Sequence, residues 1–317
     1  VRIGGLSVVA ENLRQIPRFT DLFGIAVPVD EAGAAVSQAA GNLQGVVNGK
    51  PLFSDGASYG LLSILSCLAW GLGYFGMPQV LLRFMAINKA EKLKQSRQIA
   101  VTWCVISLFG AVAIGMVGRA LLPDLLRTAG QSETIFIELT TLFFPPILAG
   151  LILSGILAAS MSSADSYMLI ASSAIARNIF GGLLTKKISD RSIMWIARVS
   201  LLLISLFGIL IALSGNDSIF RVVSYAWAGF GAAFGPLILF SLFWKRINFP
   251  GAVAGMLSGG IAVVVWKELV SKLGGVFTVY ELLPAFIISC LFIVAVSLST
   301  AKPSDEMIRE FESVKNA

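Results

Sequence analysis

Residues 57–85 read ASYGLLSILSCLAWGLGYFGMPQVLLRFM, and the second half of that stretch decides the architecture. Three glycines and a proline fall between Gly71 and Pro78, inside a run otherwise apolar enough for a membrane helix. Each such glycine costs about 1 kcal/mol of helix stability relative to alanine, and an interior proline about 3 kcal/mol. Non-helical backbone at membrane depth persists only where it is buried in protein or lines a cavity. One reading is therefore a helix broken near Gly76–Pro78, whose opposed half-helix ends and free N–H and C=O groups suit a zwitterionic solute. Trp70, Tyr74 and Pro78 are spaced i, i+4, i+8 and could share the face that meets it. The other reading is an unbroken, glycine-rich helix packed closely on a neighbour. The residues alone leave both open.

The surrounding chain is a membrane protein by composition. Of its 317 residues 56% are hydrophobic and 13% charged, against about 25% charged in soluble domains, and the mean hydropathy is +0.83. The apolar residues gather in runs close to the ~20 residues that span a bilayer. Seven spans are predicted, at about 57–82, 98–122, 143–175, 193–214, 220–243, 251–270 and 281–300, giving an all-α transmembrane domain over 57–300. Residues 1–56, broken by Pro17, Pro28 and Pro51, read as an extracellular loop with short helices, and 301–317 as a charged cytoplasmic tail.

Charge orients these spans. If the loop after the first is inside, so are Arg83, Lys89, Lys92, Lys94, Arg97, Arg177, Lys186, Lys187, Arg191, Arg198, Lys245, Arg246, Lys302, Arg309 and Lys315, which make 15 of the 24 Lys and Arg. The positive-inside rule then puts the amino terminus of this chain outside and its carboxy terminus inside. The net charge of +6 is thus membrane topology rather than a nucleic-acid footprint; the partner it implies is the lipid bilayer, at the cell membrane. Cys67, Cys104 and Cys290 all fall within spans, which argues against disulfides. There is no histidine, which removes His-based triads and the usual zinc sites. With no nucleophile–base pair either, an enzyme is not expected, nor any cofactor.

The third span contains AASMSSADSY, residues 158–167. The carbonyl of Ala159 and the hydroxyls of Ser162 and Ser163 are spaced i, i+3, i+4, converging on one helix face. A hard cation such as sodium wants oxygen ligands of this kind. Against this, serines in membrane helices often bond back to the carbonyl at i−4. Asp165, well inside the apolar run, is costly there and either pairs with Arg177 three turns on or lies near an ion or solute path. The segment Gly130–Leu142 opens with a capping-box pattern at Ser132 and Glu133, with Glu138 further on, and predicts a short outside helix. The fifth span reads SYAWAGFGAAFGP from Ser224; it predicts close packing, a gate at Tyr225 or Trp227, and a second Gly-Pro break.

Three blocks, WGLGYFGMPQVLLRFM (70–85), SGILAASMSSADSYMLIASSAIARNIF (154–180) and SYAWAGFGAAFGPLILFSLFWKR (224–246), resemble the sodium:solute symporters, nearest to their proline-transporting branch. The similarity is collinear over about residues 57–300. It implies a five-plus-five inverted-repeat fold, of which these spans are the last seven of thirteen: the second repeat plus two peripheral helices. It implies sodium ligation by Ala159, Ser162 and Ser163, solute binding by Trp70, Tyr74 and Pro78, and ion coupling through Arg83. Asp165 and Ser166 would lie on the coupling path. The expected function is sodium-coupled symport of a small solute, L-proline first, by alternating access. Met77 and Gln79 beside Pro78, and Tyr167 after Ser166, depart from the branch and leave pantothenate, a sugar or a carboxylate as alternative solutes. A membrane-embedded sensor or partner subunit without transport is the rival of a different class. The remaining sodium ligands of the family lie on its first repeat, so a chain starting at Val1 is expected to be an incomplete polypeptide that does not transport alone.

Overall fold

The computed structural model describes residues 5–36, 43–48, 50–123, 126–184, 189–214 and 219–315. It forms two compact units, residues 1–112 with 218–317 and residues 113–217. Among the described residues six helices are long and apolar enough to cross a membrane, and a pair of helices bent by 54° makes a seventh when taken as one span. The chain is a multi-pass, all-α membrane protein, as its composition requires.

In the first unit, α1 (Leu6–Arg14) precedes four two-residue strands, β1 (Gly24–Ile25), β2 (Val46–Val47), β3 (Lys50–Pro51) and β4 (Ala57–Ser58). They pair antiparallel as β1 with β4 and β2 with β3, so the segment read from sequence as loop with short helices also carries two small ladders. The bent pair is α2 (Leu61–Gly73), a 3₁₀ turn at Tyr74–Gly76, and α3 (Pro78–Met85). Met77 is extended (φ −85°, ψ 116°), as the residue before a proline is steered to be, and Pro78 takes the first helical position, where its missing N–H costs nothing. The span does break here. The close-packing reading holds as well, because Gly73 and Gly76 are buried against a later helix.

That helix is α9 (Ile219–Phe243), numbered after α4 (Lys92–Leu121), α5 (Ala129–Glu133), α6 (Ile135–Phe143), α7 (Pro146–Ser173) and α8 (Asp190–Ser214). It is followed by α10 (Phe249–Val265), α11 (Leu282–Ser299) and α12 (Asp305–Lys315). The core of the unit is Ala228, Ala232, Val263, Leu282, Ala285 and Phe286. Small residues let these backbones approach closely, since a Cβ on Gly231 would lie 2.7 Å from the Gly73 Cα and one on Gly235 2.7 Å from the Phe286 ring. Asn248 fastens the far end: its Oδ1 accepts from Gly251 N–H (3.0 Å) to cap α10, while its Nδ2 donates to Thr300 Oγ1 (2.7 Å) and the Ala301 carbonyl (2.6 Å) beyond α11.

Gly235–Pro236 does not break α9, contrary to the sequence reading; the helix runs through a buried Pro236. Proline deprives the carbonyl four residues back, that of Ala232, of its N–H partner. This carbonyl is instead packed on Gly259 of α10, so closely that a Cβ there would collide with it. α9 thus stays helical through the proline, with α10 packed on the carbonyl that the proline frees.

In the second unit the end of α4 packs on α6, with Gly118 against Ile135. The capping box sits one turn earlier than expected: Thr128 Oγ1 accepts from Gln131 N–H (3.2 Å) and Gln131 Oε1 from Thr128 N–H (3.0 Å), starting α5. The third predicted span ends late. After α7 the chain continues as π-helical turns over Ala174–Leu184, with no glycine or proline before Gly181 to stop it. Lys186 and Lys187, counted among the inside residues, lie outside the described residues.

Candidate solute and cation sites

The break in the first unit is roofed by aromatic rings. α2 ends at Gly73, and the Trp70 carbonyl in its last turn carries a second lone pair that can take a further donor. Trp227 of α9 supplies one: its Nε1–H donates to the Trp70 carbonyl at 3.0 Å. The Trp227 ring also stacks on the Trp70 ring (centroids 5.4 Å, 14°) and meets Tyr74 edge-on (4.8 Å, 82°). Gly73 is the space that admits this indole, for a Cβ there would collide with it. Phe220 and Tyr280 stack on Trp70 too, at 5.5 and 5.9 Å. Offset ring pairs of this kind are each worth about 0.5–1.5 kcal/mol beyond area burial.

Two of the three predicted solute residues, Trp70 and Tyr74, are thus brought together around Trp227. Pro78 stands past the break at the start of α3, where the Met77 carbonyl accepts from Val80 N–H (3.0 Å) and Leu81 N–H (3.1 Å). Arg83 lies exposed near the end of α3. Of the two residues singled out as a gate, Trp227 enters the cluster, whereas Tyr225 is exposed.

In the second unit Ala159, Ser162 and Ser163 lie on α7, which is regular there. Ser154 and Ser166 bond back to carbonyls four residues earlier, Ser154 Oγ to Gly150 (2.7 Å) and Ser166 Oγ to Ser162 (3.0 Å). Among the described residues the hydroxyls of Ser162 and Ser163 make no such bond. Asp165 has no ion-pair partner among the described residues, so pairing with Arg177, one of the two alternatives, is not seen. These groups are exposed on the helix surface.

A family model described as the sodium:solute symporter family matches residues 26–259. The chain belongs to the sodium:solute symporter family. It is 38% identical over 303 residues to the sodium/proline symporter of Haemophilus influenzae, covering 94% of this chain and 58% of that protein. The sodium/proline symporter of Escherichia coli is 41% identical over 254 residues, 79% of this chain and 50% of that protein. The osmoregulated proline transporter OpuE of Bacillus subtilis is 41% identical over 251 residues, with 79% and 51% covered. The chain spans about half the length of the curated relatives it matches. This sodium:solute symporter sequence thus belongs to a family of transporters rather than enzymes.

Sequence reasoning missed Tyr280, Ser66 and Phe220. Their partners lie far off in the chain: Tyr280 N–H donates to Ser66 Oγ (3.1 Å) and Tyr280 Oη–H to the Ser224 carbonyl (2.6 Å). Burial, and then the neighbouring Glu281 carboxylate, push the Tyr280 phenol above its ordinary value, so it remains a donor at neutral pH. No local pattern marks such a residue. Glu281 itself is buried beside Lys267, at 3.5 Å.

Proposed function

We propose that this chain forms one wall of a sodium-coupled symporter for L-proline in the cell membrane, with its amino terminus outside and its carboxy terminus inside. The observation that carries the reading is the break at Tyr74–Met77, roofed by Trp70, Tyr74 and Trp227. Trp70, Tyr74 and Pro78 bind the solute: the ring faces take the apolar pyrrolidine and the opposed helix ends take the carboxylate and ammonium. The names of the similar proteins, sodium/proline symporters and proline transporters, support proline as the solute.

Sodium is bound by the Ala159 carbonyl and the hydroxyls of Ser162 and Ser163, which are free to turn toward a cation because they do not bond back to their own helix. Asp165 and Ser166 line the ion path on the next turn of α7, and Arg83 couples ion and solute movement from the inner end of α3. Alternating access follows: sodium stabilises the state open to the outside, proline binds, and rocking of the repeats releases both within. Each sodium entering down 100 mV supplies about 2.3 kcal/mol.

The test is sodium binding by the full-length polypeptide. Ser162→Ala with Ser163→Ala should weaken sodium affinity at least tenfold, as loss of two oxygen ligands demands. Unchanged sodium dependence would remove the ion site from α7. Met77 and Gln79, flanking Pro78, favour a second reading in which the solute is pantothenate, a sugar or another carboxylate. Competition of labelled proline by a solute panel decides between them.

A further inference from the structure

Tyr280 lies just before α11, outside α2 and α9, which carry the rings over the break, yet it touches both of these helices. Its backbone N–H donates to Ser66 Oγ on α2 (3.1 Å), its phenol donates to the Ser224 carbonyl on α9 (2.6 Å), and its ring stacks on Trp70 (5.9 Å, 17°). Ser66 is itself held, its Oγ donating to the Leu62 carbonyl at 2.9 Å. On the α9 side Ser224 Oγ donates to the Phe220 carbonyl (2.6 Å), and the Phe220 ring stacks on Trp70 as well. The next residue, Glu281, is 5% exposed and faces Lys267, on the turn that continues α10, at 3.5 Å. That separation is an ion pair rather than a hydrogen bond, and Glu281 Oε1 has no hydrogen-bond partner among the described residues. The two-residue step Tyr280–Glu281 therefore ties α2, the first turns of α9 and the turn after α10 to the start of α11.

From this juxtaposition we infer that Tyr280 is a positioning residue for the solute site. It fixes the Trp70 ring and holds the α2 end to α9, so that Trp70 and Trp227 are set before the solute arrives. A ligand that meets walls already ordered avoids the cost of ordering them. The effect of Tyr280 must therefore appear in solute affinity. It should not appear in sodium affinity measured without solute, because the proposed sodium ligands lie on α7. The inference rests on the reading of Trp70 as a solute residue.

The experiment compares Tyr280→Phe, Tyr280→Leu and Ser66→Ala with wild type in the full-length polypeptide, using sodium-driven uptake of labelled L-proline in proteoliposomes and near-ultraviolet circular dichroism. Tyr280→Phe keeps the ring and loses one hydrogen bond; KM for proline should rise about fivefold to tenfold with kcat little changed. Tyr280→Leu loses the stack too, and should raise KM further and diminish the signal of the stacked indoles, which the phenylalanine variant retains. Sodium affinity without proline should be unchanged in all three. Folded variants with wild-type KM would overturn the inference, as would an equal loss of sodium and proline affinity, which marks a merely structural role. If wild type itself shows no sodium-driven proline uptake, the functional reading has failed instead. The dichroism of Tyr280→Leu then judges the clamp alone, and an unaltered indole signal would refute it.

Discussion

Adding one methyl group at Gly73 should do more damage than adding one at Gly71, although both are helical glycines two residues apart. A Cβ at Gly71 meets nothing within 4 Å, whereas at Gly73 it would sit 2.8 Å from Trp227 Cε2 and closer still to the pyrrole edge of the ring. The indole must withdraw by roughly 1 Å or more to reach ordinary contact. Its bond to the Trp70 carbonyl, 3.0 Å long, then opens past hydrogen-bonding range. Losing that bond with its partner half-buried costs about 1–3 kcal/mol, and disturbing the Trp70 stack about 0.5–1.5 kcal/mol. The gain from replacing glycine by alanine in a helix offsets about 1 kcal/mol of this. Gly73→Ala should therefore destabilise by about 1–3 kcal/mol, while Gly71→Ala is neutral or stabilising by up to about 1 kcal/mol. Thermal unfolding in detergent, followed by size-exclusion and near-ultraviolet dichroism, reads the difference. Equal stability of the two variants, with the indole signal intact in both, would refute the packing of Trp227 over Gly73.

Asn248→Ala removes the α10 cap and the side-chain bonds to Thr300 and Ala301; a loss of about 2–4 kcal/mol is expected in the same unfolding assay. Asn248→Asp keeps the cap but not the donor and should fail to rescue. The phenol of Tyr280, raised above its ordinary value by burial and by Glu281, stabilises the fold as the neutral donor. Its contribution is complete below the unfolded value of about 10 and is lost only as pH rises through the higher folded value. Ultraviolet titration of wild type against Tyr280→Phe should thus show no phenolate difference near pH 10 (about the free value) in the folded protein, and one phenolate after denaturation. The Ser162→Ala, Ser163→Ala double variant should lose sodium affinity while keeping its helix content, since both hydroxyls lie outside the hydrogen bonds of α7.

The spans were legible because a bilayer demands about 20 apolar residues, and seven such runs stand out from Leu61 to Ser299. The break at Tyr74–Met77 was half legible. Gly71, Gly73, Gly76 and Pro78 announce either a break or close packing, and only the neighbouring helix shows that both occur, with Gly73 and Gly76 packed and the turn between them. At Gly235–Pro236 the same local signal misled, because the Ala232 carbonyl freed by proline is covered by Gly259, a residue no local window contains. The end of the third span was misplaced for the opposite reason, since Arg177 and Asn178 look like its end but no glycine or proline stops the helix before Gly181. The aromatic cluster was legible only in part. Trp70 and Tyr74 are one turn apart and share a face, but Phe220 and Trp227 of α9 and Tyr280 before α11 reach them from more than a hundred residues away. The spacing of Ala159, Ser162 and Ser163 was visible in the sequence. What separates Ser162 and Ser163 from Ser154 and Ser166 is whether each hydroxyl bonds to its own helix, and sequence does not record that.

The central claim is that sodium drives solute movement past the broken helix. Uptake of labelled L-proline by proteoliposomes holding the full-length polypeptide tests it most directly, with an inward sodium gradient and with potassium in its place. Accumulation is expected with sodium, with collapse when the gradient is dissipated and loss in the Ser162→Ala, Ser163→Ala variant. Proline accumulation of the same size with potassium, or sodium-driven uptake undiminished in that variant, would contradict it.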